Sequence, residues 1–202
     1  MAMRAVIFDI GGVLEFTPST GWRERWAAEL GLEPAEIEGR LNAIWSLGST
    51  GAITLGQVEE HTAEVLGLDE IRLAAFMADA WSEYLGTLNE ELAAYFARLR
   101  PRWRTGILSN SFVGAREREQ AAYGFEDICD VVVYSHEEGW MKPDSRMYRV
   151  ICERLGVTPH EAVFLDDVQA YVDGARNVGM AAIRFVDNEQ AIAELAIHLA
   201  PY

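Results

Sequence analysis

The apolar positions of this chain follow three regimes. Residues 5–8, Ala-Val-Ile-Phe, make a short unbroken apolar run rich in β-branched and aromatic side chains. This predicts a buried strand that stops at Asp9. From Trp22 to about Leu85 the spacing turns helical. Trp22, Trp26 and Leu30 repeat on one face, and Gly31 can close that helix. Ile37, Leu41 and Ile44 share a face of a second helix over Pro34–Trp45, which Gly48-Ser49-Thr50-Gly51 should end. A third helix follows Thr54 and a fourth spans about Asp69 to Tyr84.

Beyond Asn89 helical and strand patterns alternate. Helices are predicted over Asn89–Arg100, Val113–Tyr123, Ser145–Leu155, Gln169–Val178 and Glu189–Leu199. Strands are predicted over Thr105–Leu108, Val131–Tyr134, Ala162–Leu165 and Ala181–Phe185. Such alternation indicates an α/β fold: a Rossmann-like parallel sheet with helices on both faces. The all-helical stretch interrupts it directly after the first strand. Residues 1–15 and 88–202 are therefore assigned to the core domain and residues 16–87 to a small helical cap. An insert at that point should hang over the ligand-binding edge of the sheet.

Charge narrows the partners. With 17 Lys and Arg against 32 Asp and Glu, the chain carries a net −15 and has no basic block. Nucleic acid and anionic membranes are poor partners for such a surface. An anionic ligand would need a local cation, a lysine or helix amides. Two cysteines, Cys129 and Cys152, show no metal-ligand spacing and are too few for a disulfide scaffold. With an N-terminal apolar run too short for a signal peptide or a membrane span, they suggest a cytoplasmic protein; either a monomer or a homodimer is compatible with the sequence.

The candidate chemistry collects at predicted strand ends. Asp9 follows the first strand, and Gly11-Gly12 permit a sharp turn that brings amides near a bound group. Taken alone, Asp9 reads more simply as the end of a strand and the start of a turn. Ser109-Asn110-Ser111 follows the second core strand; these side chains can bind phosphate oxygens or cap a helix. Lys142, ahead of Pro143 and therefore biased to an extended backbone, could reach a carboxylate cluster, while Asp144 reads as a helix cap. Asp166-Asp167 follows four apolar residues. Adjacent carboxylates at a sheet edge repel unless a cation neutralises them, and oxygen ligands of this kind suit Mg²⁺.

In order along the chain, Phe8-Asp9-x-Gly-Gly-Val-Leu, Leu108-Ser109-Asn110, Lys142-Pro143-Asp144-x-x-x-Tyr148 and Phe164-Leu165-Asp166-Asp167 resemble the haloacid dehalogenase-like hydrolase superfamily. The last motif continues into Gly174-Ala175-Arg176-Asn177-Val178-Gly179-Met180, and Gly51-Ala52-Ile53-Thr54 looks like a segment of the family's C1-type cap. The nearest flavour is the subgroup of epoxide hydrolase amino-terminal domains and sugar-phosphate phosphatases. The resemblance implies a Mg²⁺-dependent phosphatase of a small phosphorylated metabolite. Asp9 would be the nucleophile, and Lys142 would neutralise charge. Ile10, Ser109, Asn110 and Lys142 would bind the substrate, while Asp9, the Gly11 carbonyl, Asp166 and Asp167 would hold the metal.

One position departs from the family pattern. Gly11 stands where these phosphatases usually carry an acid/base aspartate, and Glu15, read as a loop charge, or Thr17 could stand in for it. The same gap suits a metal-free 2-haloacid dehalogenase-like hydrolase, with Arg23 or Arg25 taking the substrate carboxylate. It also suits a catalytically weakened binding protein. Trp22, Trp45 and the Gly48–Gly51 loop are candidate walls of the substrate pocket.

Overall fold

The computed structural model describes residues 2–200. Five parallel strands make the central sheet: β1 (Ala5–Phe8), β4 (Arg104–Ser109), β5 (Val131–Tyr134), β6 (Ala162–Asp166) and β7 (Ala181–Arg184). Their spatial order is β5-β4-β1-β6-β7. The chain thus builds outward on one side of β1, then crosses to the other. Such a reversal opens a crevice at the carboxyl edge of an α/β sheet.

Alternation along β1 divides the interior. Val6 and Phe8 point into a core closed by α5 (Glu90–Ala97) and α11 (Asn188–Leu199), where Phe8 stacks on Phe96 at 4.5 Å. Ala5 and Ile7 point into the opposite core, closed by α9 (Ser145–Leu155) and α10 (Gln169–Asn177). Burying one large apolar side chain in such a layer stabilises by roughly 1.5–3 kcal/mol. Both cysteines are buried free thiols.

The inserted helices are α1 (Trp22–Leu30), α2 (Pro34–Ser49), α3 (Leu55–Leu66) and α4 (Glu70–Leu85). They close a third core around Trp22, Trp26, Ile37, Leu41 and Phe76. Trp22 and Trp26 both set ring edges against Phe76, at 5.0 and 5.2 Å. Helix starts follow local chemistry: Glu33 and Thr54 form capping boxes, and Asp69 and Asn89 accept backbone amides.

Several elements differ from the sequence expectation. Helix α2 runs through Gly48 to Ser49 instead of ending near Trp45. Gly48 is there for close approach: an added Cβ would lie 2.6 Å from the Phe112 ring. Helix α5 ends at Ala97, short of Arg100, and α6 (Ala115–Tyr123) starts two residues later than Val113. Ser109 and Asp166 are the last residues of their strands, paired with Tyr134 and Arg184, not loop residues beyond them. The Lys142–Pro143 peptide is cis.

Three small features had no sequence signal: the short helices α7 (Phe125–Ile128) and α8 (Ser135–Glu138), and an antiparallel ribbon of β2 (Glu15–Phe16) with β3 (Thr87–Leu88). The ribbon joins the two chain crossings between sheet and insert. At the opposite end the insert is tied to the sheet edge by Val113 N–H donating to Gly48 O (3.2 Å) and Ser135 Oγ donating to Ser49 O (2.8 Å). No described helix is long and apolar enough to cross a membrane.

Candidate active site

Asp9, Lys142, Asp166 and Asp167 meet at the carboxyl edge of β1 and β6. The Lys142 side chain is fully buried, and its Nζ lies 2.7 Å from Asp9 Oδ1 and 2.7 Å from Asp166 Oδ2. One carboxylate oxygen from each of Asp9, Asp166 and Asp167 falls within 4.8 Å of the others. Gly12 makes this possible. With φ at +74° it turns under Asp167, whose Oδ2 would lie 2.5 Å from an added Cβ.

Two of the carboxylates accept a backbone N–H that sets their direction. Asp9 Oδ1 accepts the Ile10 N–H at 2.8 Å, and Asp166 Oδ1 accepts the Val168 N–H at 2.8 Å. Asn110 holds the lysine loop in place: Lys142 N–H donates to Asn110 Oδ1 (2.7 Å), and Asn110 Nδ2 donates to Lys142 O (3.0 Å). Lys142 Nζ also lies over the Tyr171 and Phe164 rings, at 5.0 and 5.4 Å. This shields it from water and adds cation–π attraction.

Burial pushes the Asp9 carboxyl well above its ordinary range, against the pull of Lys142; the Asp166 charge adds to the rise. Burial alone would lower Lys142, but the charges of Asp9 and Asp166 outweigh it and hold the amine above its usual value. Asp167 is raised by burial and by Asp166. Three carboxylates therefore face one ammonium, an arrangement with room for a further positive charge.

Two cavities meet here. The outer one, about 530 Å³, is lined by Asp9, Gly11, Asp167 and Tyr171. The inner one, about 210 Å³, runs between sheet edge and insert, with Ile10, Ser109 and Glu119 on one side and Trp22, Trp45 and Tyr84 on the other. Gly11, Thr17 and Asn110 line both.

A family model of the haloacid dehalogenase-like hydrolases matches residues 3–179. The chain belongs to that family. This hydrolase is 34% identical over 195 residues to Phosphatase MT3486 of Mycobacterium tuberculosis (strain CDC 1551 / Oshkosh), covering 90% of this chain and 87% of that protein. It is 29% identical over 214 residues to Bifunctional epoxide hydrolase 2 of Sus scrofa, covering 96% of this chain but 38% of that protein. It is 30% identical over 204 residues to Acyl-CoA dehydrogenase family member 10 of Mus musculus, covering 95% of this chain but only 19% of that protein. The chain thus spans well under half the length of two of the curated relatives it matches. The fold matches the Bacteroides thetaiotaomicron enzyme bt-2542, solved with magnesium and inorganic phosphate, at a TM-score of 0.79 and 19% identity. That match covers 95% of this chain and 99% of bt-2542.

The residues singled out in this hydrolase are not all placed as the sequence suggests. Ile10, Ser109 and Asn110 all line the inner cavity, and the Ile10 N–H also donates to Asp9 and so orients that carboxylate. Asp144 caps α9 by accepting the Arg146 N–H. Trp22 and Trp45 do form cavity wall, and Ser49 is the only member of the Gly48–Gly51 segment on a neighbouring apolar cavity. Arg23 lines the inner cavity and this neighbouring one but is paired with Glu83 at 3.1 Å, and Arg25 pairs with Asp79 at 3.3 Å.

Glu15 is not a loop charge. It lies in β2, 2% exposed, and Thr17 Oγ1 donates to its Oε2 at 2.9 Å. Glu119 is a further acidic group of the site, with no role expected from the sequence. It is 2% exposed on α6 and accepts the Tyr134 hydroxyl at 2.5 Å. Its signal was present, since Ala115, Glu119 and Tyr123 share one stripe of an otherwise charged helix.

Proposed function

We propose that this hydrolase is a Mg²⁺-dependent phosphatase of a small phosphorylated metabolite such as a sugar phosphate, working through a phosphoryl group held on Asp9. The supporting observation is the Lys142 bridge to Asp9 and Asp166, with Asp167 in the same cluster. The donor set fits the cation: three carboxylates gathered against a single ammonium are all-oxygen, hard and undercompensated in charge. Asp9, Asp166, Asp167 and the carbonyl of Gly11 are the groups that would hold it. When bound, Mg²⁺ supplies positive charge to the phosphoryl oxygens and the attacking carboxylate. The magnesium and phosphate in bt-2542 and the name of the mycobacterial relative support the same reading.

The chain's own groups account for the rest. The Ile10 amide and Lys142 both bind Asp9 Oδ1. That leaves Oδ2 with no protein donor among the described residues, so it is the oxygen that attacks phosphorus. Lys142 stabilises charge as the carboxylate is phosphorylated and again as it is released. Ser109 and Asn110 offer hydroxyl and amide groups to the transferred group from the cavity wall. Fixed donors of this kind are the main contribution a protein makes to phosphoryl transfer. The insert would act as a cap over the outer edge, with Trp22 and Trp45 against the leaving group.

Phosphate release from a panel of sugar and nucleotide monophosphates, with Mg²⁺ or with EDTA, tests this reading. Magnesium-dependent turnover that disappears in Asp9→Asn is expected. Chloride release from 2-chloropropionate in EDTA, with no phosphate release from any ester, would replace it with a dehalogenase.

A further inference from the structure

Expelling a metabolite from its phosphate ester leaves an alkoxide, which needs a proton as the bond to phosphorus breaks. The later attack of water needs a base to take one. Asp9 is committed to phosphorus and Lys142 to its two carboxylates, so neither serves. The inner cavity holds three other acidic side chains: Glu15, Glu83 and Glu119. Glu83 remains below its ordinary range despite its desolvation, held by hydrogen bonds from Thr20 and by the Arg23 charge, and so stays ionised. Glu119 is occupied by the Tyr134 hydroxyl.

Glu15 differs in three ways. Its Oε1 is buried against Gly86, beside the Thr87 backbone, and no side chain bonds to it. Its Oε2 is the nearest atom to the space a side chain at position 11 would fill, 4.0 Å from a Cβ built there, and nothing else lies within that distance. Finally, Gly11 lines both the inner cavity, which Glu15 also lines, and the outer one, which holds Asp9. With no side chain at Gly11, nothing on that residue stands between the two carboxylates.

We propose that Glu15 is the proton-transfer group of this site; the inference rests on the phosphatase reading above. In the first half-reaction Asp9 Oδ2 bonds to phosphorus and the ester P–O bond breaks. The Glu15 carboxyl gives its proton to the departing oxygen, leaving the free alcohol and a Glu15 carboxylate. In the second, that carboxylate takes a proton from water as the water oxygen bonds to phosphorus and the Asp9–phosphorus bond breaks. Inorganic phosphate leaves, and both acids return to their starting states. The surroundings suit both roles. Burial raises the Glu15 carboxyl above its ordinary range, against hydrogen bonds from Thr17 and the Thr87 backbone, and the Glu119 charge adds to the rise. Tyr84 and Tyr123, which feel the Glu15 charge, are held neutral mainly by burial. A buried carboxyl on the cavity wall can give a proton to a departing oxygen and, once ionised, take one from water.

The test compares wild type with Glu15→Gln on two substrates in Mg²⁺: p-nitrophenyl phosphate, whose phenolate leaves without a proton, and glycerol 2-phosphate, whose alkoxide does not. For the glycerol ester kcat/KM should fall ~10²–10⁴-fold, the usual share of acid catalysis. For the nitrophenyl ester kcat/KM should change less than about tenfold. A burst of one nitrophenolate per enzyme should then precede slow turnover, because the second half-reaction has lost its base. Gly11→Asp placed in the Glu15→Gln chain returns a carboxyl to the same space and should restore glycerol phosphate turnover. It also guards against mere misfolding, as does a melting temperature no lower than that of wild type. Equal losses on both esters without a burst, or no loss on either, would overturn the assignment. Wild-type turnover of the nitrophenyl ester and its loss in Asp9→Asn report separately on the phosphatase reading; if wild type is silent, both fall.

Discussion

Lys142→Met removes one cation from between two buried carboxylates while keeping the side-chain stem. The methionine fills most of the lysine's volume, so a cavity adds little. The cost is electrostatic. Asp9 and Asp166, each 2.7 Å from the missing ammonium and 6% and 0% exposed, are left facing one another. Breaking a buried ion pair from one side costs about 3–5 kcal/mol. In a domain of this size 1 kcal/mol shifts the melting temperature by about 2–4 °C, so a fall of roughly 6–20 °C is expected. The assay is urea unfolding followed by tryptophan fluorescence in EDTA, extended to a double-mutant cycle with Asp166→Asn. Because that second change removes one of the opposed charges, Lys142→Met should cost markedly less in its presence, with a coupling of at least 1 kcal/mol. A loss below about 1 kcal/mol in the single variant, with no coupling, would refute the view that this lysine neutralises the cluster.

Magnesium should raise the melting temperature of wild type, by the equivalent of about 2.7 kcal/mol at a hundredfold excess over its dissociation constant, and should act weakly on Asp167→Asn; thermal melts across a magnesium titration measure both. Stability should decline as pH rises from about 4.5 through 7, because burial holds Glu119 at about 7 in the folded chain against a reference of 4.5. Below that window both states hold the proton; within it the folded state holds a proton that the unfolded chain has lost. Glu119→Gln keeps an acceptor for Tyr134 and should flatten that decline by an amount on the order of 2 kcal/mol, read from urea midpoints at pH 5 and 8. Gly51→Ala places a Cβ 1.8 Å from His136 O at a φ of +66°, and should loosen the seat of the insert on the sheet edge. Faster hydrogen exchange at the Val113 amide, with a lower melting temperature, is the expected result.

The parts of the site legible in the sequence share one property: each follows or ends an apolar run at a strand terminus. Asp9, Ser109 and Asp166-Asp167 could therefore be placed on one sheet edge by counting strands, and Lys142 by its neighbour Pro143. Glu15 could not. A two-residue strand has no period, and its burial comes from pairing with Leu88 across the whole insert. Glu119 was hidden by its arginine-rich neighbours, although Ala115 and Tyr123 mark its face. Gly48 misled because a glycine required for contact with Phe112 looks the same in sequence as one that ends a helix. Local pattern reports which face is apolar; it does not report which distant element will cover it.

The β2–β3 ribbon also bears on the order in which the chain assembles. Strands β1 and β4 are neighbours in the sheet, yet residues 9–103 separate them in sequence. Once Glu15–Phe16 has paired with Thr87–Leu88, the path between those strands shrinks to residues 9–16 and 87–103, a roughly fourfold shorter loop. Each halving of a loop saves about 0.6 kcal/mol of closure entropy, so about 1.2 kcal/mol is removed from the first long-range pairing of the sheet. The helices that make the intervening segment compact draw on nearby contacts, which form early. The ribbon is thus a splint that brings β1 and β4 within reach of one another.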